Sequence, residues 1–419
     1  MTTEVHGENR MPLPARNTLA IIGAGPIGLE AALAALAAGF DVHLFERGEV
    51  GDHVRAWGHV QLFTPWRMNL GPVSKAHLER GGWKAPDAEQ CPTGAEYVEQ
   101  YLEPLGGLAD FGTRLHRHSQ VVHVSRQGKL KSEGEGRREH PFRLMVRDPG
   151  GRESYLHAFA IIDASGVYGQ PGWAGDGGIP ARGETYLAPQ MSYHLDDVLG
   201  IRRTRYAGRK TLVIGAGASA MTLVVNLARL ADEAPETSVV WATRGEAAAV
   251  ARGFPDDPLP ERRALHERAR ALAAGSHPRV SHVGGIRVEG LEFNSATHRY
   301  KAQLAVDERM HPVECDQILV ACGYGPDNSI YRELRIHECY GSRAPMKLAT
   351  ALEGAGASDC LDTPAFGADV LANPEPDFYI LGNKSYGRNP NFLIETGFKQ
   401  VAEVVAKFAE RLQVGAASG

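Results

Sequence analysis

The chain has 419 residues, 43% of them apolar, and its 45 basic against 50 acidic side chains give a net charge of −5. That balance excludes a disordered chain, which lacks the apolar content to offset ordering entropy, and a nucleic-acid coat, which needs a basic excess. The length suggests two or three domains, and five scattered cysteines with no Cys-x-x-Cys pair suit a reducing compartment.

Residues 1–16 are polar, show neither strand nor helix period, and lack the apolar run of a signal peptide. They read as a disordered arm of a cytoplasmic protein. Asn17–Ile22 then reads as a strand, followed by Gly23-Ala24-Gly25-Pro26-Ile27-Gly28, a helix former from Leu29 to Ala38, and a second strand, Asp41–Phe45, ending in Glu46-Arg47. The glycines divide the work of a dinucleotide fold. The first permits a tight turn, the second lets the backbone approach a pyrophosphate, and the third lets helix and strand pack closely. The helix N-terminus offers free N–H groups to phosphate, and a carboxylate at Glu46 is spaced to accept from ribose hydroxyls. Glu30 and the glycines inside the apolar stretch argue against a membrane span.

The pattern returns at Lys210–Ile214, Gly215-Ala-Gly217-Ala-Ser219-Ala220, with a helix over about 221–230 and a strand at Ser238–Ala242. Here the strand ends in Thr243-Arg244. A cation at that place meets the 2′-phosphate of NADP; a surface ion pair is its other role. Ala158–Gly166, through Asp163, and Asp316–Gly325, through Ala321, are apolar strands ending in small residues, as at the ligand edge of open α/β sheets. They read as one strand leaving the first fold and another re-entering it. The fold class is therefore α/β, with two Rossmann-like dinucleotide-binding folds, the second inserted in the first.

Other segments say less. His116, His118 and His123 share a short strand-like stretch and read as surface residues. Residues 127–140 look like a solvated loop and 169–183 like a hinge. Phe254–Pro260 is turn chemistry before a helix at Glu261–Ala274, and a final amphipathic helix begins near Leu393. His337 and Cys339 lack the partners of a zinc site, so no metal is expected.

Gly23–Gly28 with Glu46, Gly215–Ala220 with Arg244, the Asp163–Gly166 and Ala321–Gly325 strand ends, and Phe378-Tyr-Ile-Leu-Gly382-Asn383 together resemble the two-dinucleotide-binding-domain flavoproteins. The resemblance covers nearly the whole chain from residue 17. It implies FAD on the first fold (17–180 and 311–419) and NADPH on the second (200–310). The family's last motif is usually Gly-Asp, and here it is Gly382-Asn383.

Within that superfamily, disulfide reductases need a cysteine pair that this sequence does not offer. Gly51–Trp57, Cys91–Leu102 with Thr93 as helix N-cap, and Gly183–His194 resemble segments of flavin-containing and N-hydroxylating monooxygenases. One departure is Leu62-Phe-Thr64-Pro65-Trp66, where flavin-containing monooxygenases carry a Thr-Asn pair. The resemblance implies an NADPH-dependent monooxygenase acting through a peroxyflavin on a small molecule and molecular oxygen, with no nucleic-acid or membrane partner and a homo-oligomer left open. The alternative is an NADPH-dependent reductase passing electrons to a disulfide, quinone or protein without cysteines of its own. Arg47, Trp57, Thr64, Val122, Gly166 and Phe392 complete the candidate cofactor contacts, and no catalytic side chain is identified.

Overall fold

A computed structural model describes residues 14–246, 257–356, 361 and 366–417. Thr18–Ile22 is buried at every position, as a central parallel strand covered on both faces must be. It lies in a five-stranded parallel sheet in the order Phe378–Ile380, Ala160–Asp163, Thr18–Ile22, Asp41–Phe45, Leu115–His116. The helix Pro26–Ala37 and the final helix Ile394–Ala417 pack on it through Leu29, Leu33, Phe398 and Val401. Glu30 turns inward from the first of these helices. Its carboxylate accepts from Val73 N at 2.9 Å and Ser74 N at 2.8 Å, capping the helix Pro72–Arg80.

A second parallel sheet orders Val280–Val283, Ser238–Ala242, Lys210–Ile214 and Gln317–Val320, with helices Ala218–Glu233 and Pro260–Ala273 beside it. This corrects one expectation. Gln317–Val320 does not re-enter the first fold but closes the edge of the second, so the chain crosses back only after Val320. The outgoing and returning crossings are hydrogen-bonded to each other: Gly172 N donates to Gly323 O at 2.8 Å, and Gly325 N to Gln170 O at 2.9 Å. Each fold also carries a three-stranded antiparallel sheet, Gln120–Arg126, Phe142–Arg147 and Glu153–Ala158 in the first, and Arg287–Asn294, Arg299–Val306 and Arg309–Cys315 in the second.

The loop over 127–140, expected to be solvated, is tied down by Arg137 and by Lys131, which donates to Arg332 O at 2.9 Å. Arg137 is buried and donates to Glu375 at 2.7 Å, and to the carbonyls of Leu130 at 2.7 Å and Glu133 at 3.0 Å, so its buried charge is paired and its donors are used. The arm through residue 13, and residues 254–256 of the turn before Pro260, lie outside the described residues. Asp257 closes that turn by accepting from Leu259 N at 2.9 Å and pairing with Arg262 at 2.6 Å.

Candidate functional site

The Gly23–Gly28 turn has the geometry its residues demand. A Cβ on Gly28 would lie 1.8 Å from Gly23 O, so only glycine allows the turn to close on the helix. A Cβ on Gly25 would meet nothing within 4 Å, because that backbone faces an open cleft. Gly25 caps the helix, with Pro26 in its first turn and no side-chain cap, leaving the first N–H groups free. Ala24 and Glu46 are joined: Glu46 accepts from Ala24 N at 2.8 Å and from Gly48 N at 2.9 Å. Burial pushes the Glu46 carboxyl above its usual range, against the pull of those two N–H donors.

The cleft holds a cavity of about 470 Å³ that both folds line. Gly23, Gly25, Pro26, Ile27, Glu46 and Arg47 form one wall. Trp57, Gly166, Gly382, Asn383 and Phe392 line the rest of the first fold's side, and Ile394 opens the final helix onto it. Ser219 comes from the second glycine turn, beside Gly215, Gly217 and the buried Ala220, which lie outside the lining. Gly215 is at φ +135°, with the indole of Trp241 donating to its carbonyl at 2.8 Å. Arg244 is exposed at the end of Ser238–Ala242, and no salt bridge joins it to a described carboxylate.

Two expected contacts sit elsewhere. On Gln120–Arg126 it is Val121 that lines the cavity, not its neighbour Val122, at a register shift of the strand. Thr64 is buried away from the wall, donating to Asn69 Oδ1 at 2.9 Å, and the Asn69 amide is spent on the carbonyls of Thr64 and Pro65. Thr93 does cap its helix, in a reciprocal capping box with Glu96. The next residue, Gly94, lies against Trp57, whose ring would be 2.7 Å from a Cβ there.

Several contacts on and beside the cavity were missed by sequence reasoning. Lys384 and Asp163 form a fully buried ion pair at 2.6 Å, and Lys384 also donates to Ser165 Oγ at 3.0 Å. Tyr168, from the first crossing, clusters with His194 at 4.5 Å and Tyr324 at 4.9 Å, and those two rings also stack on each other at 5.9 Å. His53 leans on Tyr168, and its Nε2 is 2.5 Å from Arg47. A guanidinium only donates, so Nε2 accepts and the ring proton is assigned to Nδ1. Burial, then the Arg47 cation, lowers the His53 pKa to about 4, so the ring is neutral at neutral pH. The signal for Tyr168 and Tyr324 was present, since each lies just beyond a small-residue strand end. Asp163 belongs to the strand end already noted, but its pairing with Lys384 had no signal, the two being far apart in sequence.

No family model matches the sequence, and no curated protein matches it. Solved structures do. The bacillithiol disulfide reductase Bdr (YpdA) from Bacillus cereus matches at 18% identity and a TM-score of 0.68, over 94% of this chain and 99% of its own. The Kutzneria sp. 744 ornithine N-hydroxylase matches at 16% identity and 0.62, over 96% and 100%. The T. acidophilum thioredoxin reductase matches at 13% and 0.57, over 93% and 99%. At such identities the likeness is one of fold, and the fold is that of the two-domain FAD/NAD(P) oxidoreductases, in agreement with the motifs.

Proposed function

We propose that the chain is an FAD- and NADPH-dependent oxidoreductase, with FAD in the cleft and NADPH on the second fold. The observation that carries this reading is the single cavity lined by both Gly25 and Ser219. Two phosphate-binding turns opening on one cavity suit two dinucleotides whose reactive rings must meet. The residues fit FAD: free N–H groups behind Gly25 for the pyrophosphate, Glu46 for ribose hydroxyls, and Gly166, Gly382 and Asn383 for close backbone approach. Held there, FAD would supply two-electron redox chemistry between a nicotinamide and an acceptor. Arg47 holds His53 as a neutral ring with its Nδ1–H free to donate. Trp57 and Phe392 provide apolar walls that exclude water.

The finer reading is a monooxygenase oxidising a small molecule. It is supported by the Trp57–Gly94 packing; Cys91, Cys315, Cys322 and Cys339 are free and off the cavity wall, which speaks against a dithiol relay of the chain's own but does not separate the two readings. The position of Thr64 and Asn69 favours the second reading, a reductase that passes electrons to an external acceptor, because neither side chain faces the cavity. Mixing the flavin-loaded protein with NADPH in air, and measuring peroxide together with oxidised candidate substrates, separates the two. Substrate-coupled NADPH consumption supports the monooxygenase. Consumption only with a quinone or disulfide supports the reductase, and a protein that never takes up flavin defeats both.

A further inference from the structure

The turn that carries Arg244 is held from the neighbouring strand. Ser238–Ala242 pairs in parallel with Val280–Val283, and the register sets Trp241 opposite His282. Beyond the strand ends the two segments stay clamped. Thr243 N donates to Val283 O at 2.9 Å, Ile286 N to Thr243 O at 3.1 Å, and Gly285 N to Gly245 O at 3.4 Å. Arg244 therefore sits on a short turn fixed on both sides, at Thr243 and at Gly245.

The Thr243 side chain completes that clamp. Thr243 is wholly buried, with its hydroxyl 2.6 Å from Gly245 O and 2.8 Å from His282 Nε2. A carbonyl only accepts, so the one hydroxyl proton goes to Gly245 O. The hydroxyl oxygen must then accept from His282, which places a ring proton on Nε2. The same imidazole meets the Trp241 indole edge-on at 5.3 Å, and that indole donates to Gly215 O at 2.8 Å. His282 thus joins the second fold's glycine turn to the turn that carries Arg244. Glu246, the nearest acid in sequence, packs its carboxylate against Gly285, where a Cβ would lie 2.5 Å from Oε1, and forms no salt bridge with Arg244.

We propose that His282 is a positioning residue for cofactor selection: by donating to Thr243 it holds the 243–245 turn so that Arg244 meets a nucleotide 2′-phosphate. This rests on the reading of the second fold as the NADPH site. Calorimetric titration of the full chain, saturated with FAD, with NADP⁺ and with NAD⁺ tests it. The wild type should bind NADP⁺ more tightly. His282→Ala should weaken NADP⁺ about three- to tenfold, the worth of one hydrogen bond, and leave NAD⁺ unchanged. His282→Gln, whose amide N–H can replace Nε2–H, should keep the preference. In an Arg244→Ala background, His282→Ala should change nothing further. Equal weakening of both nucleotides in His282→Ala, or a Gln variant as poor as the Ala variant, would overturn the proposal. A preference lost in Arg244→Ala but intact in His282→Ala would overturn it alone and leave the NADPH reading standing. No preference in the wild type would defeat both.

Discussion

Lys384 donates to Asp163 at 2.6 Å from the far end of the chain, and both side chains are wholly buried. The pair ties the ends of two neighbouring strands, Ala160–Asp163 and Phe378–Ile380, beneath the cleft. Both oxygens of Asp163 are engaged, one by Lys384 and the other by Ser165 N and Oγ.

Removing one partner should therefore cost far more than removing both. Lys384→Met leaves a buried carboxylate uncompensated, a loss of about 3–5 kcal/mol. The double variant Lys384→Met with Asp163→Asn should recover part of it. Urea denaturation of the single and double variants decides the matter, and a double variant no more stable than Lys384→Met would show that the charges are not coupled.

The glycine turn separates binding from stability. Gly25→Val keeps an extended backbone that valine accepts and points its side chain into the cleft. It should melt near the wild-type temperature yet retain no flavin absorbance. Gly28→Ala drives a methyl into Gly23 O and should cost about 1–3 kcal/mol in denaturation. A Gly25→Val protein that purifies yellow would refute the placement of the pyrophosphate.

Much of this was legible in the sequence because the dinucleotide folds are local. Strand, glycines, helix and acid follow one another within about 30 residues, and Gly23, Gly25, Glu46 and Ser219 duly line the cleft. The sheet edge was not legible, since Gln317–Val320 has the same apolar composition whichever sheet it joins; only its pairing with Lys210–Ile214 distinguishes them. Arg137 was misjudged for a related reason. A charge-rich loop looks solvated until Glu375, distant in sequence, supplies the counter-charge.

Arg244 stands exposed beyond Ser238–Ala242 with no described carboxylate bridging it. A charge-assisted bond to the 2′-phosphate is worth about 1.5–3 kcal/mol. Stopped-flow flavin reduction should show NADPH outpacing NADH in the wild type, and Arg244→Ala should lose that preference through weaker NADPH binding. The same ratio in both proteins would rule Arg244 out as the selector.

Acid should weaken the molecule partly through His53. Its folded pKa, about 4, lies below the 6.5 of the free side chain. Between those values the unfolded chain binds more protons, so stability rises with pH across that window and falls as pH drops through it. His43, His59, His116 and His194 are lowered in the same direction by burial. His53→Asn should therefore flatten the slope of denaturation midpoint against pH without abolishing it. An unchanged slope would mean that the ring is not held neutral.

Under the proposed function, Glu46 has a consequence for how the cleft takes up a dinucleotide. Its two oxygens fasten Ala24 and Gly48 by bonds internal to the chain, so the turn is held by the protein's own groups. Little conformational entropy remains to be lost when a dinucleotide arrives. The emptied protein should keep the shape of its mouth, and reloading should proceed at the pace of encounter rather than of local refolding.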